Sequence, residues 1–253
     1  MKRLFSFALL LLALGCCNFA AARTFLVAVG VAEYADTTTT RIQANANDAD
    51  SVVALFAKHE KLSYVLLQDS LATQDRVIRA MRKVYSEAQK DDKIIFFFSG
   101  HGYPADDYHP GGIAVYDGFL SYTRIREAMA VSPCINKMIF ANACHSGGIR
   151  QEAIASQQGD DRGATRRANV LTFMSSRPDE YSYASAAPSG NSLFARNLLA
   201  ALRGAADADS NGVVTAKELF TYVYQGVLND SGQIQHPVMW GRFPNDMPII
   251  TLR

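Results

Sequence analysis

Ile94-Ile95-Phe96-Phe97-Phe98-Ser99-Gly100-His101-Gly102 is a run of large apolar residues that ends in small ones and then in a histidine between glycines. The run is short for a helix and lacks polar alternation, so it reads as a strand buried on both faces, as in parallel sheets. Downstream, Lys137-Met138-Ile139-Phe140-Ala141 repeats the pattern and leads through Asn142-Ala143 into Cys144-His145-Ser146-Gly147-Gly148. A histidine and a cysteine are thereby placed just past the carboxyl ends of two strands. Open α/β sheets form their sites at that edge.

Outward from these strands the pattern alternates. Strands are predicted over 24–31, 63–67, 93–99, 136–143 and 170–175, helices over 46–59, 73–89, 192–203 and 216–228, and the segment 122–131 continues the alternation. Residues 249–252 read as a final edge strand. The fold class is therefore α/β, with a mostly parallel central sheet covered by helices on both faces. A length of 253 residues suits one such domain, here 23–253. The net charge is only +1, so no nucleic acid partner is implied.

The cysteine–histidine pairing has a chemical rationale. Cysteine attacks as the thiolate, and a free thiol with a pKa of about 8.5 is ionised only to about a few per cent at neutral pH. A histidine within hydrogen-bonding reach takes that proton and later returns it to a leaving amine. Glycines beside both let the backbone approach a substrate carbonyl and aim N–H groups at a developing oxyanion.

These motifs resemble those of the caspase and metacaspase group of cysteine peptidases (peptidase C14), in its bacterial caspase-like branch. Further matching stretches are Val27-Ala28-Val29-Gly30-Val31-Ala32-Glu33-Tyr34, Asn47-Asp48-Ala49, Leu193-Phe194-Ala195 and the Gln235-His236-Pro237 segment. The resemblance implies a three-layer caspase-like sandwich and an endopeptidase acting on peptides or proteins through a thioester, without an organic cofactor. It implies His101 as general base and acid, Cys144 as nucleophile, and the Gly102 and Cys144 N–H groups as oxyanion hole. Ser99, Asp48 and Asn142 would line a substrate pocket for Arg or Lys. The family has an acid where Asn142 stands, so attraction for a basic side chain is weakened. Asp48 has a second reading as a helix-start residue. Arg41 lies near the place where true caspases bind aspartate, about one residue out of step.

The polar stretch 149–169 corresponds to a linker that some relatives cleave, and Arg150, Arg162, Arg166 and Arg167 are candidate self-cleavage sites; an uncut exposed loop is the simpler account. By analogy 177–188 forms the far wall of the substrate groove. His236 reads as a turn residue rather than a third catalytic member. The loop 102–112 carries Asp106, Asp107 and His109 without metal-ligand spacing, so it reads as a solvated loop. Two rival functions share these residues: a non-catalytic, calcium-stabilised binding module, and a transpeptidase using the same dyad.

Met1-Lys2-Arg3 and the short apolar stretch after it read as a signal peptide, residues 1–22, too short to span a membrane. Ala20-Ala21-Ala22 predicts cleavage before Arg23 and an exported protein, periplasmic or secreted. The alternative is lipoprotein processing with an anchor at Cys16. Oligomeric state is not readable. Of the other cysteines, Cys134 and Cys144 flank one strand, whose length keeps them beyond disulfide reach, so Cys134 reads as a buried free thiol.

Near the carboxyl end, Asp207-Ala208-Asp209-Ser210-Asn211-Gly212-Val213-Val214-Thr215-Ala216-Lys217-Glu218 fits the EF-hand calcium loop at each diagnostic position. Ca²⁺ ligands would be Asp207, Asp209, Asn211, the Val213 carbonyl, Thr215 directly or through water, and bidentate Glu218. The alternative is a turn in which Thr215 and Glu218 form a capping box.

Overall fold

From the amino end, β1 (Thr24–Gly30), α1 (Ala44–His59), β2 (Leu62–Gln68), α2 (Gln74–Ser86) and β3 (Lys93–Ser99) follow one another in the computed structural model. A hairpin layer of β4 (Gly102–Tyr103), β5 (Gly112–Val115) and β6 (Gly118–Ser121) then precedes α3 (Tyr122–Ala130) and β7 (Asn136–Asn142). The chain ends with β8 (Asn169–Met174), α4 (Leu193–Ala200), β9 (Val213–Thr215), α5 (Ala216–Asp230), β10 (Val238–Arg242) and β11 (Pro248–Thr251). The structure describes residues 22–104, 111–144, 169–184 and 190–252. The leader up to residue 21, Asp106, Asp107, His109, and the arginines at 150, 162, 166 and 167 lie outside them.

The main sheet has the order β10-β8-β7-β3-β1-β2, parallel throughout except for antiparallel β10 at one edge. β1, β3 and nearly all of β7 are buried, which is why their sequences are continuous apolar runs. Alternate residues face opposite layers. Phe25, Val27, Phe96, Phe98 and Ile139 pack with Met81, Tyr85 and Ile125 of α2 and α3. Leu26, Ala28, Ile95, Phe97 and Phe140 pack with Val52 and Phe56 of α1 and with Phe194, Leu198 and Leu219 of the late helices. This is a three-layer α/β sandwich. Each fully buried Phe contributes about 1.5–3 kcal/mol. Tyr85, fully buried, avoids an unpaired hydroxyl by donating to the Ile95 carbonyl at 2.7 Å.

Several boundaries differ from the sequence expectations. Residues 249–252 do not extend the main sheet, because β11 pairs antiparallel with β9 in a sheet of its own. The main sheet's edge is β10, whose half-exposed residues carry little strand signal. Residues 102–103 pair with 112–113, so both ends of the predicted loop belong to strands. α1 starts at Ala44, before the predicted start, and its first turn holds no acidic residue. Asp48 is therefore inside the helix and buried, which corrects its reading as a helix-start residue. Cys134 is a buried free thiol as expected, and burial raises its pKa. Among the described residues, no helix is long and apolar enough to cross a membrane.

Candidate active site

The sheet order reverses at β1, with β2 on one side and β3, β7 and β8 on the other, so a crevice forms at the carboxyl ends of β1 and β3. In the parallel register Ser99 is the partner of Asn142, and Gly30 is also paired with Ser99. His101 and Cys144 each lie two residues beyond the Ser99–Asn142 pair, so adjacent strands deliver both to one place. Both line a single small cavity, together with Ile42, Asn45, Asn142 and Ser182.

The histidine is held on three sides. Its Nε2 is 2.8 Å from the Thr40 carbonyl, which can only accept, so Nε2 carries the hydrogen and Nδ1 is left as the base in the neutral ring. Its backbone N–H donates to the Tyr34 hydroxyl oxygen at 2.8 Å, and the two rings pack tilted at 41°, with centroids 5.3 Å apart. Burial holds the Tyr34 phenol well above its ordinary pKa, so it stays neutral.

Gly102 has a reason to be glycine. A Cβ there would collide with the Cys144 carbonyl oxygen and lie 3.0 Å from Ala143 Cβ. Gly102 and Ile113 form the wide kind of antiparallel pair, since the adjacent ladder bond runs from Ala114 N to the His101 carbonyl at 2.9 Å. The Gly102 N–H therefore points away from Ile113 and out of the hairpin.

The cysteine is positioned by the strand after it. Ala143 N donates to Ser175 Oγ at 3.1 Å, and the Ser175 and Ser176 hydroxyls reach the Ala143 carbonyl at 3.1 and 3.3 Å. Cys144 Sγ is half-buried and 3.9 Å from the Ser182 carbonyl. His145 and the glycines after it lie outside the described residues.

A caspase-domain family profile (peptidase C14) matches residues 23–246. The chain belongs to the caspase-domain family. A crystal structure of a protein from Geobacter sulfurreducens is similar at TM-score 0.66 and 17% identity, covering 91% of this chain and 100% of that one. Crystalline caspase-1 from Spodoptera frugiperda is similar at TM-score 0.61 and 15% identity, covering 91% and 89%. Curated protein sequences give no significant match.

In this caspase domain Asp48, Ser99 and Asn142 do meet, and they bond to one another. Close approach of α1 brings Asp48 there: a Cβ on Gly30 would lie 2.6 Å from the Asn45 carbonyl and 2.9 Å from Ala49 Cβ. Asp48 Oδ2 accepts from Ser99 Oγ at 2.8 Å and Asn142 Nδ2 at 3.0 Å. Oδ1 accepts from Asn191 Nδ2 at 2.9 Å and Ser192 N at 3.0 Å. Burial raises the Asp48 carboxyl pKa, opposed by these donors. Asn142 Nδ2 also reaches Ser99 Oγ and Ser192 Oγ, at 2.9 and 2.8 Å, and its Oδ1 accepts from Ser182 Oγ at 2.8 Å. Arg41 stays at the surface, paired with Glu33 at 3.0 Å.

The far wall, 181–184, is held from behind by Gln235. Gln235 accepts from Tyr183 N at 3.0 Å and donates to the Ser175 carbonyl at 2.9 Å. His236 is a wall support, with Nδ1 2.8 Å from Glu180 Oε1 and its backbone N–H donating to Oε2 at 2.8 Å. Sequence reasoning missed Thr40, Tyr34, Ser175, Ser182 and Gln235 as site residues. Tyr34 stood in a matching stretch, but a backbone carbonyl such as that of Thr40 leaves no mark in a sequence.

The carboxylates of Asp207, Asp209 and Glu218 converge, with one oxygen from each within 4.8 Å of the others. Asp207 accepts from Asn211 N at 3.1 Å and Gly212 N at 3.0 Å, and Gly212 takes the left-handed φ of 81° that the turn requires. Glu218 and Thr215 also form the capping box, Oε2 accepting from Thr215 N at 2.9 Å. The Thr215 hydroxyl and N–H lower the Glu218 pKa. Val213 sits in β9, which pairs antiparallel with β11. The donor set fits Ca²⁺.

Proposed function

We propose that this caspase domain is an exported cysteine-type endopeptidase. The observation that carries the reading is the in-register delivery of His101 and Cys144 to one cavity, with the imidazole tautomer fixed by the Thr40 carbonyl. The Cys144 thiol gives its proton to His101 Nδ1, and the thiolate attacks the scissile carbonyl carbon. The charge on the carbonyl oxygen is met by the Gly102 and Cys144 N–H groups. The tetrahedral species collapses by breaking the C–N bond, and His101 protonates the departing amine. His101 then takes a proton from water, whose oxygen attacks the thioester, releasing the acid and the thiol.

Ca²⁺ would be held by Asp207, Asp209, Asn211, the Val213 carbonyl, Thr215 and Glu218, and would supply positive charge that braces the loop between α4 and α5. Export rests on the 1–22 leader, with the Cys16 anchor as its alternative. Cleavage after Arg or Lys requires a carboxylate free to receive a cation, and the fully engaged Asp48 weighs against it.

The test is covalent labelling of residues 23–253 by a peptidyl acyloxymethyl ketone, located by mass spectrometry. Labelling at Cys144 that disappears in His101→Ala is expected. A protein that cleaves no peptide library and takes no label, with or without calcium, sinks the proposal.

A further inference from the structure

We infer that the specificity pocket of this domain excludes basic side chains and accepts a small uncharged residue before the scissile bond, with Asn142 as the determinant; this rests on the peptidase reading above. To bind a guanidinium or ammonium in a buried pocket, an enzyme needs an acceptor with lone pairs to spare, because the cation leaves its water behind. Asp48 lies behind the lining residues Asn142 and Ser192, to which it bonds, and its side chain has no exposed surface. A carboxylate offers about four acceptor sites. Ser99 Oγ, Asn142 Nδ2, Asn191 Nδ2 and Ser192 N occupy them at 2.8, 3.0, 2.9 and 3.0 Å.

Asn142 does more than lack a charge. Its amide turns the donor end toward Asp48 and spends the acceptor end on Ser182 Oγ at 2.8 Å. The NH₂ group thus serves as an internal substitute for the cation that a second acid would have helped to recruit. Apart from His101 and Cys144, the polar side chains of the lining are uncharged: Asn45, Asn142, Ser182 and Ser192, beside Ile42 and Ala184. The cavity holds about 20 Å³ of free space, room for about one water molecule, whereas a basic side chain brings a stem of several methylenes before its charge.

The experiment uses two peptidyl acyloxymethyl ketones that differ only in carrying Ala or Arg at the residue before the warhead. Second-order labelling rates of Cys144 are measured for wild type and for Asn142→Asp. In wild type the Ala probe should react at least about ten-fold faster, the scale on which pocket fit discriminates. Asn142→Asp removes the internal donor and sets two carboxylates side by side, an arrangement that favours a cation between them. Its ratio should move toward the Arg probe by about ten-fold or more. Faster labelling by the Arg probe in wild type overturns the inference and leaves the peptidase reading intact. An unchanged ratio in a folded Asn142→Asp, checked by its thermal melt, removes Asn142 as the determinant. No labelling by either probe overturns the peptidase reading and this inference with it.

Discussion

Replacing Asp48 by alanine withdraws the acceptor on which four donors from three segments converge, and the structure allows the cost to be apportioned. Ser99 Oγ keeps a second contact, with Asn45 Oδ1 at 3.3 Å, and Asn191 Nδ2 keeps Ser51 Oγ at 3.2 Å. Asn142 Nδ2 keeps two hydroxyl partners, at 2.9 and 2.8 Å. The Ser192 N–H, buried at the start of α4, loses its acceptor outright. One complete loss at about 1–3 kcal/mol and three partial ones sum to about 3–4 kcal/mol. Asp75→Ala, which removes only an exposed pair with Arg79, should cost within about 0.5 kcal/mol. The pH dependence has a definite sign. Because burial raises the Asp48 pKa, the folded state binds this proton more tightly than the unfolded chain. That contribution to stability is complete below the ordinary carboxylate pKa and is lost as pH rises through the raised folded value. Urea denaturation should therefore show a larger gap between wild type and Asp48→Ala near pH 4 than near pH 8. A gap under about 1 kcal/mol at both, or one that widens as pH rises, refutes this account of the network.

Three further outcomes are expected. Gly102→Ala drives a methyl group into the Cys144 carbonyl and displaces the N–H aimed at the oxyanion, so Cys144 labelling should fall by about a hundred-fold or more, measured by probe kinetics. Gln235→Ala unties the Tyr183 N–H and the Ser175 carbonyl together; the melting temperature should drop by several degrees, and kcat/KM should fall by more than stability accounts for at a temperature where the variant stays folded. Saturating calcium should raise the melting temperature by several degrees, equivalent to about 2.7 kcal/mol at a hundred times Kd. Asp209→Ala should abolish that rise with little change in the calcium-free melt, because the Asp209 carboxylate accepts only from Asn211 among the described residues; an equal rise in both proteins would refute the site.

The centre of the fold was legible because β3 and β7 are buried on both faces, which forces a sequence with no polar interruption. The meeting of His101 and Cys144 at one cavity was legible for the same reason, since adjacent parallel strands in this register end side by side. The hairpin layer was not: β4 to β6 are short, and their pairing is decided by partners rather than by any run of their own. Asp48 could be named but not understood, because its role depends on Asn191 and Ser192, which the fold brings back from far along the chain. The sequence displays Asn142 as a lost charge, whereas only the folded arrangement displays it as an occupying donor.

Strand β11 is a tie between two distant parts of the domain. It pairs with β9 of the 207–218 loop, Leu252 N donates to the Gly212 carbonyl at 2.8 Å, and the Ile249 carbonyl accepts from Lys93 Nζ at 3.1 Å beside the buried Lys93–Glu60 ion pair. One short strand thus braces both the acidic loop and the amino end of β3, the strand whose far end leads to His101. Neither can shift without disturbing a partner of the other.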